Sequence, residues 1–184
     1  MGRIAIFIDA GYLDKLLQRE FDGARIDYVS LAREISNRVS SEKELLRVYY
    51  YNCLPYQSIP PTEEERARFA RAQSFFESIN RLPRFELRLG RLEKRSDARG
   101  RIVFEQKRID VLMAVDLVRL AARGQVSDVV IIAGDSDFIP ALEVSKAEGV
   151  LIWLLHGANP HDDLWTLSDE RIQFNSELLH KCRY

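Results

Sequence analysis

The chain has 184 residues, 46% of them hydrophobic and 30% charged, with a formal net charge of −1 at pH 7. That length fits one compact domain, and that much apolar surface excludes an intrinsically disordered chain. A near-neutral balance excludes a uniformly basic nucleic-acid binder while leaving room for a local basic surface.

Arg3 to Ile8 (RIAIFI) is a β-branched apolar run that predicts a buried strand. Helical spacing opens at Gly11-Tyr12-Leu13. A second helix is predicted over Asp27 to Val39, with Leu31, Ile35 and Val39 on one face. Leu45 to Tyr51 (LLRVYYY) reads as a strand, and Pro55, Pro60 and Pro61 mark a loop. Thr62 followed by Glu63-Glu64-Glu65 starts a helix reaching about Asn80, because Thr caps and the acids suit the helix dipole. Phe85 to Leu92 and Ile102 to Glu105 alternate apolar and polar residues, which predicts a β-hairpin or two edge strands around Ser96 to Gly100. Ile109 to Arg123 is a helix and Asp128 to Ala133 (DVVIIA) a strand. A helix over Phe138 to Glu148 ends at Gly149, and Val150 to Leu155 is another buried strand. A last helix is predicted near Ser168 to Leu179. Apolar strands alternating with helices imply a mostly parallel sheet covered on both faces. No repeat or linker interrupts the chain, so residues 1–184 read as one α/β domain.

Cys53 and Cys182 have no paired spacing, which disfavours a disulfide framework or a Cys-rich zinc site. No segment approaches the ~18 apolar residues of a membrane span. The apolar run at the N-terminus stops at Asp9, too early for a signal peptide, and Ile6 breaks the myristoylation pattern. A cytoplasmic protein is expected.

Ligands of open parallel sheets bind beyond the carboxyl ends of the strands. Two predicted strands end in acids there: RIAIFI in Asp9, and DVVIIA in Gly134-Asp135-Ser136-Asp137. Converging carboxylates repel one another unless cations neutralise them, and hard oxygen donors suit Mg²⁺ or Mn²⁺. Each Asp alone fits a helix cap, but the three together favour a metal site. Asp110 fits either a first-turn acid or a fourth ligand, and spacing does not decide. Asp116 lies on a helix face with Leu112, Met113 and Leu120, where a carboxylate needs a partner such as Arg119. An ion pair is the preferred reading there over a catalytic role. The chemistry such a metal site supports is hydrolysis of phosphate esters.

Neither GxGxxG nor GxxxxGK[ST] occurs, which argues against dinucleotide and nucleoside-triphosphate sites. Gly134-Asp135-Ser136 lacks the Asp-x-x-His partner of a serine hydrolase. Asp9 lacks the second acid two residues on that a haloacid-dehalogenase-type phosphatase requires. His156, His161 and His180 show no metal spacing and read as surface or hydrogen-bonded histidines. Residues 81–108 hold ten Arg or Lys against four acids, net +6, leaving 17 basic and 24 acidic residues elsewhere. That asymmetry fits a phosphate-backbone track carried by Arg84, Arg88, Arg91, Arg95, Lys107 and Arg108, and fits equally a charge-guarded edge strand. Arg84 and Arg88 alternate with Phe85, Leu87 and Leu89, as residues sharing one strand face do. Edge strands and the aromatic run Tyr49-Tyr50-Tyr51, taken as exposed, leave a homodimer as one expectation.

Three segments together resemble the NYN domain family, the LabA-like branch of the PIN-like nuclease superfamily. They are Phe7-Ile8-Asp9, then Lys107-Arg108-Ile109-Asp110-Val111 with Asp116 on the following helix, then Ile132-Ala133-Gly134-Asp135-Ser136-Asp137-Phe138. The spacing to Pro140 and to Gly149-Val150 is also similar. The resemblance implies a three-layer, Rossmann-like α/β fold with a Mg²⁺- or Mn²⁺-dependent ribonuclease site, and RNA, single-stranded or structured, as the partner. Asp9, Asp110, Asp135 and Asp137 match the family's acidic positions, and Asp116 matches an acid common on that helix. Ser136 lies within the motif, where it would orient a ligand. One position departs: the family often has Asn three residues after its first Asp, and here it is Tyr12. The family also contains members with no demonstrated activity. The expectation is therefore an endoribonuclease, with a catalytically silent nucleic-acid-binding or regulatory module as the alternative.

Overall fold

A computed structural model describes residues 2–96 and 101–184. The elements in chain order are β1 (Arg3–Asp9), α1 (Ala10–Glu20), α2 (Tyr28–Val39), β2 (Glu44–Cys53), α3 (Glu63–Asn80), β3 (Phe85–Ser96) and β4 (Ile102–Lys107). They continue with α4 (Ile109–Ala122), β5 (Asp128–Ile132), α5 (Ile139–Ala147), β6 (Leu151–His156), α6 (Asp162–Leu167), β7 (Glu170–Gln173) and α7 (Ser176–Cys182). The strands form one sheet in the order β4-β3-β2-β1-β5-β6-β7, parallel throughout except for the β3–β4 pair. This is the three-layer α/β arrangement that the strand–helix alternation predicts.

The central strands read as continuous apolar runs because both of their faces are covered. Ile4, Ile6, Ile8, Tyr50, Val130 and Ile132 bury against α1, α2, α3 and α7 on one face. Ala5, Phe7, Tyr49, Tyr51, Val129 and Ile131 bury against α4, α5 and α6 on the other. The expectation of exposed tyrosines is overturned here. Tyr49, Tyr50 and Tyr51 are 3%, 1% and 0% exposed, so they offer no surface for self-association. The rings of Tyr49 and Tyr51 stack on Phe7, while Tyr50 meets Tyr28 edge to face.

Local chemistry sets the helix ends. Thr62 and Glu65 form a reciprocal capping box on α3, with N–H donation to Thr62 Oγ1 at 3.2 Å and to Glu65 Oε2 at 2.9 Å. Asp27 caps α2 by accepting from the Ser30 N–H at 3.0 Å. The predicted C-terminal helix over Ser168 to Leu179 is corrected: the chain forms α6, then the strand β7, then α7. Asp169 links the first step to β6, its N–H donating to Ile152 O at 2.9 Å and its carboxylate accepting from the Ile152 N–H at 2.8 Å. Asn175 then caps α7 through the Leu178 N–H at 3.0 Å, which starts a new helix at Ser176. Long-range pairing with β6 has overridden local helical spacing.

No described helix is long and apolar enough to cross a membrane.

Candidate metal and phosphate site

The order of strand addition switches sides between β1 and β5, whose strands run parallel: β2 and β3 lie to one side of β1, and β5, β6 and β7 to the other. A crevice opens at such a switch point, beyond the carboxyl ends of the strands. Both acid-bearing segments leave the sheet there, Asp9 from β1 and Gly134 to Asp137 after β5. The result is a cleft of about 610 Å³ lined by Asp9, Tyr12, Lys15, Arg19, Asp110, Asp135, Ser136 and His161 among others.

Carboxylate oxygens of Asp110, Asp135 and Asp137 lie within 4.8 Å of one another. Asp110 comes from the first turn of α4, which the chain enters through Arg108 in a left-handed conformation at φ 79°. That conformation costs a non-glycine residue about 1–2 kcal/mol, and it turns the end of β4 directly into the helix. Asp135 accepts the Asp137 N–H at 3.0 Å, so the loop closes on itself and brings its two acids together. Asp9 caps α1 through the Tyr12 N–H at 3.2 Å and lines the same cleft. Burial pushes the Asp9 carboxyl above its ordinary range. The N–H groups of Tyr12 and Gly11 act against that push, and the nearby charge of Asp110 adds to it. Burial also raises Asp110, followed by repulsion from Asp135 and then Asp137. Such a donor set, all hard oxygen and mutually repelling, fits a divalent cation.

Lys15 and Arg19 face these acids from α1. Sequence reasoning missed both, although the signal was present: Tyr12, Lys15 and Arg19 recur at helical spacing along a face beside the buried Leu13, Leu16 and Leu17. The loop after β6 supplies Asn159, Pro160 and His161. Glu20 at the end of α1 holds that loop, accepting the Ala158 N–H at 2.9 and 3.0 Å. His161 was expected only as a surface or hydrogen-bonded histidine. It does cap α6, its Nδ1 accepting the Asp163 N–H at 3.3 Å, and it also lines the cleft. A ring that accepts at Nδ1 carries its proton on Nε2 when neutral.

A model of the NYN domain matches residues 3–173. The chain belongs to the NYN domain family. No curated protein matches it. NYN domains share the PIN-like nuclease fold, and PIN-like nucleases use divalent metals; the acidic cluster of this NYN domain has the donors for one.

Other expected site residues lie elsewhere in this NYN domain. Asp116 stands on α4 with its side chain 7% exposed. It accepts from Tyr51 Oη at 3.0 Å, Arg88 Nε at 2.8 Å and Arg119 Nη2 at 2.8 Å, and it is not among the three clustered acids. Arg88 is thereby tied to Asp116, and it also pairs with Glu86, which in turn pairs with Arg47. The hydrogen bond to Asp116 holds the Arg88 guanidinium's proton more firmly than usual. Arg84 precedes β3 at φ 66°, donating to Leu45 O and pairing with Glu44 at 2.9 Å. Arg84 and Arg88 are therefore both engaged in ion pairs within the protein. Arg91 and Arg95 lie farther along β3, 4.0 and 3.9 Å from the carboxylate oxygens of Glu93. Arg108 is exposed at the start of α4. The Lys107 side chain and residues 97–100 of the expected connection lie outside the described residues.

Tyr12, the departure from the family pattern, packs its ring over Gly134. A Cβ at Gly134 would lie 2.5 and 2.7 Å from Cδ2 and Cε2 of that ring. Burial raises the Tyr12 hydroxyl's pKa, and the Gly157 N–H opposes the shift.

Proposed function

We propose that this NYN domain is a divalent-cation-dependent endoribonuclease acting at the cleft between β1 and β5. One observation carries the reading: Asp110 and Asp135 of the three-carboxylate cluster line one cleft with Asp9, Lys15, Arg19 and His161. Acids alone fit many surfaces, but acids beside cations fit a divalent ion together with a phosphodiester.

Asp110, Asp135 and Asp137 would hold the cation, with Asp9 beside them. A bound Mg²⁺ or Mn²⁺ supplies charge neutralisation at the phosphate and an acidified water. The chain's own groups do the rest. Lys15 and Arg19 draw the phosphate into the cleft, Arg19 through a planar fork of donors and Lys15 as a point charge. Ser136 offers a hydroxyl within the acidic loop. His161 offers an Nε2–H at the rim, placed to hydrogen-bond a phosphate or sugar oxygen. Tyr12 closes the wall over Gly134 and narrows water access there. Arg91, Arg95 and Arg108 extend the positive surface along the incoming strand, while Arg84 and Arg88 act through their ion pairs.

The test is cleavage of a labelled single-stranded RNA with Mn²⁺, Mg²⁺ or EDTA, alongside Asp135→Asn. Metal-dependent cutting that disappears in a folded Asp135→Asn protein is the expected result, and equal cutting by that variant overturns the assignment. A second reading, a silent nucleic-acid-binding module, draws on Tyr12 standing where the family often has Asn. Under that reading the folded protein binds RNA but does not cut it, whichever metal is supplied.

A further inference from the structure

Strand β4 pairs only with the part of β3 that β2 no longer accompanies. Gly90 is the last β3 residue paired with β2, opposite Cys53, and β4 pairs with Arg91 to Ser96. Asp9, Tyr51 and Arg88 lie level across β1, β2 and β3. Beyond Gly90 the chain therefore continues as a two-stranded ribbon, past the edge of the sheet that holds the acids. Its six residues span about 20 Å at about 3.3 Å each. The ribbon returns through Arg108 into α4, so it ends within three residues of Asp110.

The two faces of this ribbon differ. Alternation from Arg88 and Leu92 puts Lys94 on the α4 side, directly opposite Phe104 of β4. The Phe104 ring lies 5.4 Å from that of Tyr56, and Lys94 Nζ lies 5.7 Å from the Tyr56 ring centroid. Arg68 of α3 steadies the Tyr56 backbone by donating to its carbonyl at 3.3 Å. Phe104 nevertheless remains 49% exposed, and Ile102, nearer the tip, 58%. The opposite face carries Arg91, Glu93 and Arg95. An edge ribbon protected only against aggregation would turn charge outward and cover its rings. This one leaves an aromatic ring open beside a lysine, in the segment that carries net charge +6 over residues 81–108.

We propose that Tyr56, Lys94 and Phe104 form a stacking platform for single-stranded nucleic acid, holding bases a few nucleotides from the cleft. Flat rings accept the faces of unpaired bases, and the flanking cations hold the backbone. Duplexes hide those base faces, so the platform selects single strands. Only the link to cleavage rests on the nuclease reading; binding does not.

The test measures binding of a fluorescein-labelled oligouridine in EDTA, where nothing is cut. Phe104→Leu should weaken binding about tenfold or more, the size of one lost base stack, while Phe104→Trp retains it. Lys94→Gln should lower the salt slope by about 0.7. Binding of duplex RNA should not respond to Phe104→Leu. Mn²⁺-dependent cleavage of a dinucleotide too short to reach the ribbon should be unchanged in Phe104→Leu, which also shows that the variant folds. Oligouridine binding equal to wild type in Phe104→Leu overturns the platform, as does an equal loss for duplex. Phe104-dependent self-association without oligouridine binding also overturns it and makes the face an interface between copies. Phe104-dependent binding with no cleavage under any metal leaves the platform standing and removes the nuclease reading. Metal-dependent cleavage with Phe104-independent binding does the reverse.

Discussion

Gly134 shows how a single residue shapes the cleft. The Tyr12 ring occupies the space where a side chain at 134 would begin, and the ring cannot withdraw without leaving the wall it forms. Gly134→Ala should therefore destabilise the protein by about 1–3 kcal/mol, the usual cost of overpacking. Shortening the ring removes the clash, so the double variant Gly134→Ala with Tyr12→Ala should be more stable than the sum of the two single effects allows. Denaturant unfolding of the four proteins measures the coupling, and strict additivity would show that the contact is slack. The sequence signalled both residues, Gly134 as the end of a strand and Tyr12 as a departure from a family pattern. Their contact was not visible, because they are joined only by the pairing of β1 with β5.

At the scale of elements, α4 is fixed by a charge it buries. Asp116 draws Tyr51 from β2 and Arg88 from β3 onto the helix, and Arg119 closes the set from the next turn. Removing the acid leaves two guanidinium groups and a buried hydroxyl without their shared acceptor. Asp116→Ala should cost about 3–5 kcal/mol. Replacing both sides, as Asp116→Leu with Arg88→Met, should cost clearly less, because the more buried of the two guanidinium groups is then no longer stranded and Arg119 can turn to solvent. Thermal melts decide between these. Since α4 also carries Asp110, Asp116→Asn should weaken Mn²⁺ binding in calorimetry without touching the ion, and unchanged affinity would limit Asp116 to stability. Helical spacing made the Asp116–Arg119 pair legible in the sequence. Arg88 and Tyr51 were not legible as its partners, being 28 and 65 residues away and brought near only by strand order. The same limit explains β7, whose four residues become a strand through pairing with β6 rather than through any pattern of their own.

Across the whole molecule, the sheet order gathers like charges at one end, and the folded state bears their repulsion. Asp9 and Asp110 both have raised pKa values, so the folded protein holds protons that the unfolded chain has already released. Stability from these two groups is present at low pH and falls as pH rises from about 3.8, the ordinary value, through the raised folded one. Other carboxylates act in the opposite sense. Asp27, lowered chiefly by its hydrogen bond with Ser30, adds stability that is lost on acidification. The bare pH profile therefore mixes both signs, and a comparison isolates the cleft. Asp110→Asn should melt higher than wild type at neutral pH without metal, and that gain should shrink as the buffer is acidified and the wild-type carboxyl takes up its proton. A divalent cation should remove the same repulsion in the wild type, stabilising it by about 2.7 kcal/mol at a hundred times the dissociation constant. It should do much less for Asp110→Asn, which lacks one of the three donors. Melting curves for both proteins, with EDTA and with Mn²⁺ across pH, carry the test. If Asp110→Asn melts lower than wild type in EDTA at neutral pH, the carboxylate is a structural anchor rather than a strained ligand. If Mn²⁺ raises both proteins equally, the ion binds outside this cleft.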